Sequence, residues 1–400
     1  MTDTPRASIY TRLSHKGRAG THVHGFVNPP IHRGSTVLVE TMQQRRDIAA
    51  RRGAGEQRVL TYGIAGSETH WALEDVVADI EGGTRCQIVS TGLAACTVPM
   101  LAYLGSGDHV LIPDSVYGPV RNFADTMLKR MGVTTTYYDP CIDPAAIAAL
   151  FRDNTKVLYT ESPGSHTFEI QDIPGLAAVA HAKGAKVLMD NTWGIHHFQP
   201  FTKGVDVSMQ ALTKYVGGHS DVMLGSITVN TPEDWAAVRA ASGQLGMFAS
   251  PDDVWLALRG VRTMAVRMER QEKSALEVAA WMRGRPEVKE VLHPALPGAR
   301  GHDIWKRDFT GACSLFGVVF QPGFAPEKIE AVAEALQLFG MGASWGGFES
   351  LALPSGTMPR TAGSGDFGGP MMRLHVGLEH PADLIADLDQ AMRRLHANVA

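Results

Sequence analysis

Between Lys186 and Ser226 the chain reads KVLMDNTWGIHHFQPFTKGVDVSMQALTKYVGGHSDVMLGS, and no other stretch constrains the fold as much. KVLMD is an apolar run ending in an acid, the pattern of a buried parallel strand whose carboxyl end presents Asp190 where open α/β sheets place their ligands. A second short strand, DVSMQAL, runs into Thr213-Lys214-Tyr215 and then Gly217-Gly218, so a lysine leaves a sheet edge beside a flexible turn. An acid able to pair with a protonated ring nitrogen and a lysine able to form a Schiff base are what pyridoxal phosphate (PLP) chemistry requires. Taken alone, the same pair also suits an exposed lysine and an acid capping a loop.

At 400 residues and 44% hydrophobic, the chain has ample material for two or three domains with packed cores. Its 37 basic and 41 acidic residues leave a formal net charge of -4, with no broad basic field, which argues against nucleic acid or anionic membrane as partner. The four cysteines, Cys86, Cys96, Cys141 and Cys313, form no C-x-x-C pair and suit free thiols in a reducing compartment. With no apolar core of a signal peptide near the N-terminus and no long apolar run, the expectation is a cytoplasmic protein acting on a small molecule. His15, His22, His24 and His32 lack the paired spacing of a metal site, and no metal is expected.

Residues 1–60, with Pro29-Pro30 and the basic run around Arg45 and Arg51, read as an extended arm with one short helix, of the kind that packs on a partner subunit. Thr69 to Gly83 is an amphipathic helix with Leu73, Val76, Val77 and Ile80 on one side and paired glycines ending it. QIVS, then Thr91-Gly92-Leu93, then a run of small residues is strand, turn and helix start, an arrangement that can seat a phosphate on backbone N–H groups. Short apolar strands then alternate with helices through HVLIP, VTTTYYD, KVLYTESP and KVLMDN, which predicts an open, mostly parallel sheet. Tyr117 follows one strand end and can face the same crevice. One long helix is expected from Asp252 to Gly284, bridging to a smaller α+β unit of short strands and two helices. Within it Arg373 lies among apolar neighbours in MMRLHVGL, where a guanidinium needs an anion, either an internal acid or a substrate carboxylate. The expected division is therefore an arm at 1–60, a large cofactor domain at 61–255 and an α+β domain at 256–400.

Four segments, TKYVGGHSD around Lys214, VLMDNTWG around Asp190, HPALPGARGHDIWKRDFTGACSLF from His293 and SWGGFESL from Ser344, closely resemble the transsulfuration enzymes of the Cys/Met-metabolism PLP family. The likeness runs from about Pro29 to the last helix. It implies PLP fold type I, an α/β large domain with a smaller α+β domain, PLP as cofactor, and a homotetramer of two dimers that share active sites. By the same resemblance the covalent lysine falls on Lys214, the acid facing the pyridine nitrogen on Asp190 and the ring-stacking tyrosine on Tyr117. Phosphate contacts fall on Gly92, Leu93, Ser208 and Thr213, and the substrate-carboxylate arginine falls on Arg373, with Ser344 and Trp345 beside it.

The family also delivers a tyrosine and an arginine, two positions apart, from the neighbouring subunit. Tyr62 matches the tyrosine and is expected to touch substrate and act in proton transfer, but Ile64 stands where the arginine is usual, with Arg58 the nearest substitute in sequence. Two positions before Trp345 a tyrosine is usual, and here it is Ala343. Trp345 itself favours the β-lyase branch, since γ-acting relatives usually carry SLGG at that place. The implied activity is a carbon–sulfur β-lyase taking L-cystathionine to homocysteine, pyruvate and ammonia. Ile64 and Ala343 keep open a related lyase for cysteine conjugates, cystine or another β-thio amino acid, and a more distant reading is a non-catalytic binding or regulatory protein on the same fold.

Overall fold

The computed structural model describes residues 6–18, 25–56, 58–356, 359–363 and 365–396. His22 and His24 lie outside these.

Eleven strands in the described residues form two sheets. The first is built from β1 (Arg85–Val89), β2 (His109–Pro113), β3 (Thr134–Tyr138), β4 (Thr155–Glu161), β5 (Lys186–Asp190), β6 (Val207–Ala211) and β7 (Gly225–Val229), in the order β1-β7-β6-β5-β4-β2-β3. From β6 to β3 every neighbouring pair is parallel, while β7 is antiparallel to both β6 and β1. β7 was not read from the sequence as a strand; it turns the chain back between two strands of the parallel set. The parallel strands are apolar throughout because both faces are covered by helices. One face packs on the helices Glu68–Glu81, Ile173–Ala182 and Pro251–Val261, with Leu73, Val77, Leu158, Val187 and Met189 in that core. The other face packs on the helices Gly92–Tyr103 and Gly118–Phe123 through Val98, Val110, Tyr159, Leu188 and Met209.

The second sheet is antiparallel, ordered β10-β11-β9-β8 from β8 (Val288–Leu292), β9 (Leu315–Phe320), β10 (Leu351–Ser355) and β11 (Met371–His375). Its apolar face, with Phe316, Val318, Met372 and Leu374, is closed by the helices Pro326–Ala335 and Pro381–Met392.

Two expectations need correction. The single helix over Asp252 to Gly284 is two, Pro251–Val261 and Met264–Arg283, broken at Arg262-Thr263. At the break Arg267 donates to the carbonyls of Gly260 and Tyr215, capping the first helix against the turn after β6. The described residues of the arm carry two α-helices rather than one, Ile9–His15 and Met42–Gly53, capped by Ser8 and Thr41.

Candidate active site

Five strands of the large sheet end at one edge, and each delivers a side chain or a backbone group there. A cleft of about 410 Å³ opens between this edge and the small sheet. It is lined by Gly92, Leu93, Tyr117, Asp190, Thr213, Lys214 and Arg373, and also by Glu161, His166, Ala343 and Trp345.

Lys214 sits in the tight turn after β6, where its N–H bonds the carbonyl of Ala211. Its Nζ donates to Ser344 Oγ at 2.8 Å and stands 5.2 Å over the Trp345 ring. Burial, and then the charge of Arg373, pull the Lys214 amine down to about 8, against a smaller opposing pull from Asp190. The loop that meets Lys214 is itself held by β11. Arg373 donates to the carbonyls of Ala343 at 2.9 Å and Ser344 at 3.2 Å, and the Gly346 N–H donates to His375 at 3.2 Å.

Asp190 ends β5 and accepts the Thr192 N–H at 3.0 Å and the Cys96 thiol at 3.5 Å. Burial raises its pKa, and the Thr192 hydrogen bonds, Cys96 and Lys214 oppose that rise. Gly92 begins a 12-residue helix capped by the Thr91 hydroxyl, which accepts from Ala94 at 3.0 Å. A Cβ at Gly92 would lie 2.5 Å from Ala211 Cβ, so only glycine lets this helix start come so close to β6. The N–H groups of its first turn have no intrahelical partner and suit an anion. Thr213, opposite, accepts the Leu224 N–H at 3.0 Å.

Arg373 is 7% exposed and makes no ion pair with a carboxylate among the described residues. Burial lowers its pKa to about 10. Of the two anions that the sequence left open as its partner, no internal acid is found among the described residues.

The structure does not bring every expected residue to the cleft. Ser208 is fully buried on the other face of the sheet, against Glu81. Strand alternation is the reason: Ser208 and Gln210 point to the helix Glu68–Glu81, while Met209 and Ala211 point to Gly92. Tyr62 is 53% exposed on the short turn that also carries Ile64, and neither lines the cleft of its own chain. Arg58 is engaged by Asp75.

Glu161 was missed. It ends β4 in direct register with Asp190, accepts the Tyr117 N–H at 2.7 Å and bonds Ser165 Oγ at 2.6 Å. The signal was present, since KVLYTE repeats the apolar-run-then-acid pattern of KVLMD. His166 was missed too; it lines the cleft at φ 64, its Nδ1 is buried without a partner, and burial takes its pKa down to about 4.

This donor set fits PLP. A helix start with free amides suits a phosphate, a buried acid suits a protonated pyridine nitrogen, and a lysine of lowered pKa suits an aldehyde. A mostly parallel seven-stranded sheet with these groups at its carboxyl edge, beside a smaller antiparallel domain, defines a PLP-dependent enzyme of fold type I. The chain belongs to the Cys/Met metabolism PLP-dependent enzyme family, whose model matches residues 10–393. A curated relative from Rhizobium johnstonii is 48% identical over 96% of both chains. The cystathionine β-lyase of Bordetella avium is 42% identical, covering 98% of this chain and all of the relative. Among solved structures, MetB of Corynebacterium glutamicum superposes with a TM-score of 0.88 at 30% identity, over 98% of this chain and 99% of that one.

Proposed function

We propose that this enzyme is a carbon–sulfur β-lyase that takes L-cystathionine and water to homocysteine, pyruvate and ammonia. The observation that carries the reading is one cleft in which an amine of lowered pKa, Lys214, stands near a carboxyl, Asp190, and near Arg373, which has no acidic partner among the described residues. The full-length likeness to cystathionine β-lyases supports the choice of substrate.

Bound PLP supplies the electron sink that makes the substrate's Cα proton removable and lets the Cβ–sulfur bond break. Arg373 holds the substrate α-carboxylate, its carbonyl contacts fixing the guanidinium before substrate arrives. Lys214, neutral above about 8, takes the Cα proton at Nζ, with Ser344 orienting the amine. Asp190 keeps a proton on the ring nitrogen. Tyr117 forms an aromatic wall, and the first-turn amides at Gly92 and Leu93 with Thr213 receive the phosphate. The leaving thiolate takes its proton from Lys214 or from Tyr62 of a second subunit. That role for Tyr62 requires at least a dimer, and the family resemblance extends it to a tetramer.

Ala343, a small side chain lining the cleft beside Trp345, favours a second reading in which bulkier or different β-thio amino acids are the preferred substrates. Pyruvate release across a panel of thioethers separates the two. Residues suited to PLP and to a small amino acid, with no helix long and apolar enough to cross a membrane among the described residues, are consistent with a cytoplasmic enzyme.

A further inference from the structure

Glu161 has no part in the chemistry above, yet it is 7% exposed, lines the same cleft and stands beside Asp190 in the parallel ladder. Adjacent strands lie about 4.8 Å apart, so the two carboxyls share one small volume at the sheet edge. No lysine or arginine pairs with Glu161 among the described residues. Two carboxylates cannot both stay ionised at that spacing without a cation for each. Asp190 has the Thr192 N–H, the Cys96 thiol and the field of Lys214 to hold its charge. Glu161 has contacts to two residues, the Tyr117 N–H and Ser165 through its hydroxyl and N–H, and no cation among the described residues.

Those two contacts reach different walls of the cleft. Oε2 accepts from the main chain of Tyr117, the residue that begins the helix Gly118–Phe123. Oε1 bonds the hydroxyl of Ser165, on the loop that carries His166 and Phe168, both with positive φ and both lining the cleft. The Ser165 hydroxyl donates to Oε1 at 2.6 Å, and because a serine hydroxyl can turn to accept instead, the same contact also serves a protonated carboxyl.

We propose that Glu161 is a positioning residue: as an uncharged acid it ties the Tyr117 turn to the Ser165 loop, fixing the aromatic wall over Asp190 and leaving Asp190 as the only carboxylate of the pair. This rests on the reading of the cleft as the PLP site. Burial and then Asp190 push the Glu161 carboxyl up to about 8, in keeping with a proton held there. The other titratable groups facing it are Cys96, Tyr117, Tyr138 and Tyr159, whose own pKa values are all raised, so none supplies a compensating positive charge.

The test compares Glu161→Gln and Glu161→Ala with the native holoenzyme by bound-PLP content and by the visible circular dichroism of the cofactor, read without substrate across a pH series. Glutamine can accept from Tyr117 and donate to Ser165 as the neutral acid does. Glu161→Gln is expected to keep the native dichroic band and to lose its pH dependence near about 8. Glu161→Ala is expected to bind PLP with loss of most of that band and about tenfold of kcat/KM. A Gln variant that titrates like the native enzyme, or that loses the band as Ala does, overturns the proposal, and so does an Ala variant with a native band. Should Ala fail to fold, the Gln titration decides alone. Native protein that binds no PLP would contradict the site reading instead, so the two failures are told apart.

Discussion

Gly346 and Lys214 meet with no room for a side chain between them: a Cβ on Gly346 would stand 2.9 Å from both Cα and Cβ of Lys214, and the glycine holds φ +82. The SWGG turn is thus a backbone wall against which the lysine is set. Gly346→Ala should move Lys214 and strain the turn, since a left-handed non-glycine residue costs about 1–2 kcal/mol. The expected result is a folded protein, cooperative in thermal unfolding, with kcat reduced about a hundredfold, a loss of the size that displacing a reacting group by about 1 Å produces. Native kcat in this variant would mean that the turn is not what places the amine.

The lowered pKa of Lys214 has a kinetic reading in the apoenzyme. Only the neutral amine attacks an aldehyde, so the rate of PLP capture should rise as pH rises through about 8 and level off above it. Arg373 contributes to that lowering, so Arg373→Ala should shift the rise to higher pH as well as raise KM for the amino acid. Stopped-flow absorbance at a series of pH values measures both.

On the proposed reading, Ile64 of a second subunit stands where the family resemblance puts a phosphate arginine, and Arg58 is committed to Asp75. A charge-assisted hydrogen bond contributes ~1.5–3 kcal/mol, so Ile64→Arg should retain PLP about ten- to a hundredfold more tightly in a dissociation assay. Arg58→Ala should leave retention unchanged.

Ser208 separates the structure from the resemblance. Its hydroxyl lies on the Glu81 side of the sheet with no hydrogen-bond partner among the described residues, so Ser208→Ala should leave PLP affinity intact and cost less than about 1 kcal/mol of stability. Glu81 accepts Asn191 Nδ2 at 2.9 Å, bonds Gln210, and is pushed by burial up to about 7. A carboxyl raised on folding stabilises the fold fully below its ordinary pKa and loses that contribution as pH rises through about 7, on the order of 3 kcal/mol for this group. Thermal midpoints should therefore fall from mildly acid to alkaline pH, and Glu81→Gln should flatten that slope.

What the sequence made legible was set by strand ends. Asp190 ends an apolar run, Lys214, Gly92 and Tyr117 come within a short turn after one, and sheet geometry sends such residues to one edge. Glu161 obeyed the same rule and was passed over because no role awaited it. Ser208 was placed by resemblance alone, although it lies three residues before Ala211 in the same strand and so must face the other way. The helix break at Arg262-Thr263 left no trace in the apolar period, and the Arg267 contacts that accompany it reach back to the remote turn after β6. β7 escaped because GSITV is short and its partners, β1 and β6, are remote in sequence or reversed in direction. Tyr62 and Ile64 show the limit from the other side: their own chain leaves them at its surface.

The central claim is that Lys214, Asp190 and Arg373 form one β-lyase site, and pyruvate release tests it most directly. The holoenzyme should release pyruvate fastest from L-cystathionine, together with homocysteine, more slowly from cystine, and not at all from methionine, which has no sulfur at Cβ. Lys214→Ala should abolish release while staying folded, because a cleft lysine contributes little packing. Pyruvate formation persisting in Lys214→Ala, or native enzyme inactive on every β-thio amino acid, would contradict the account.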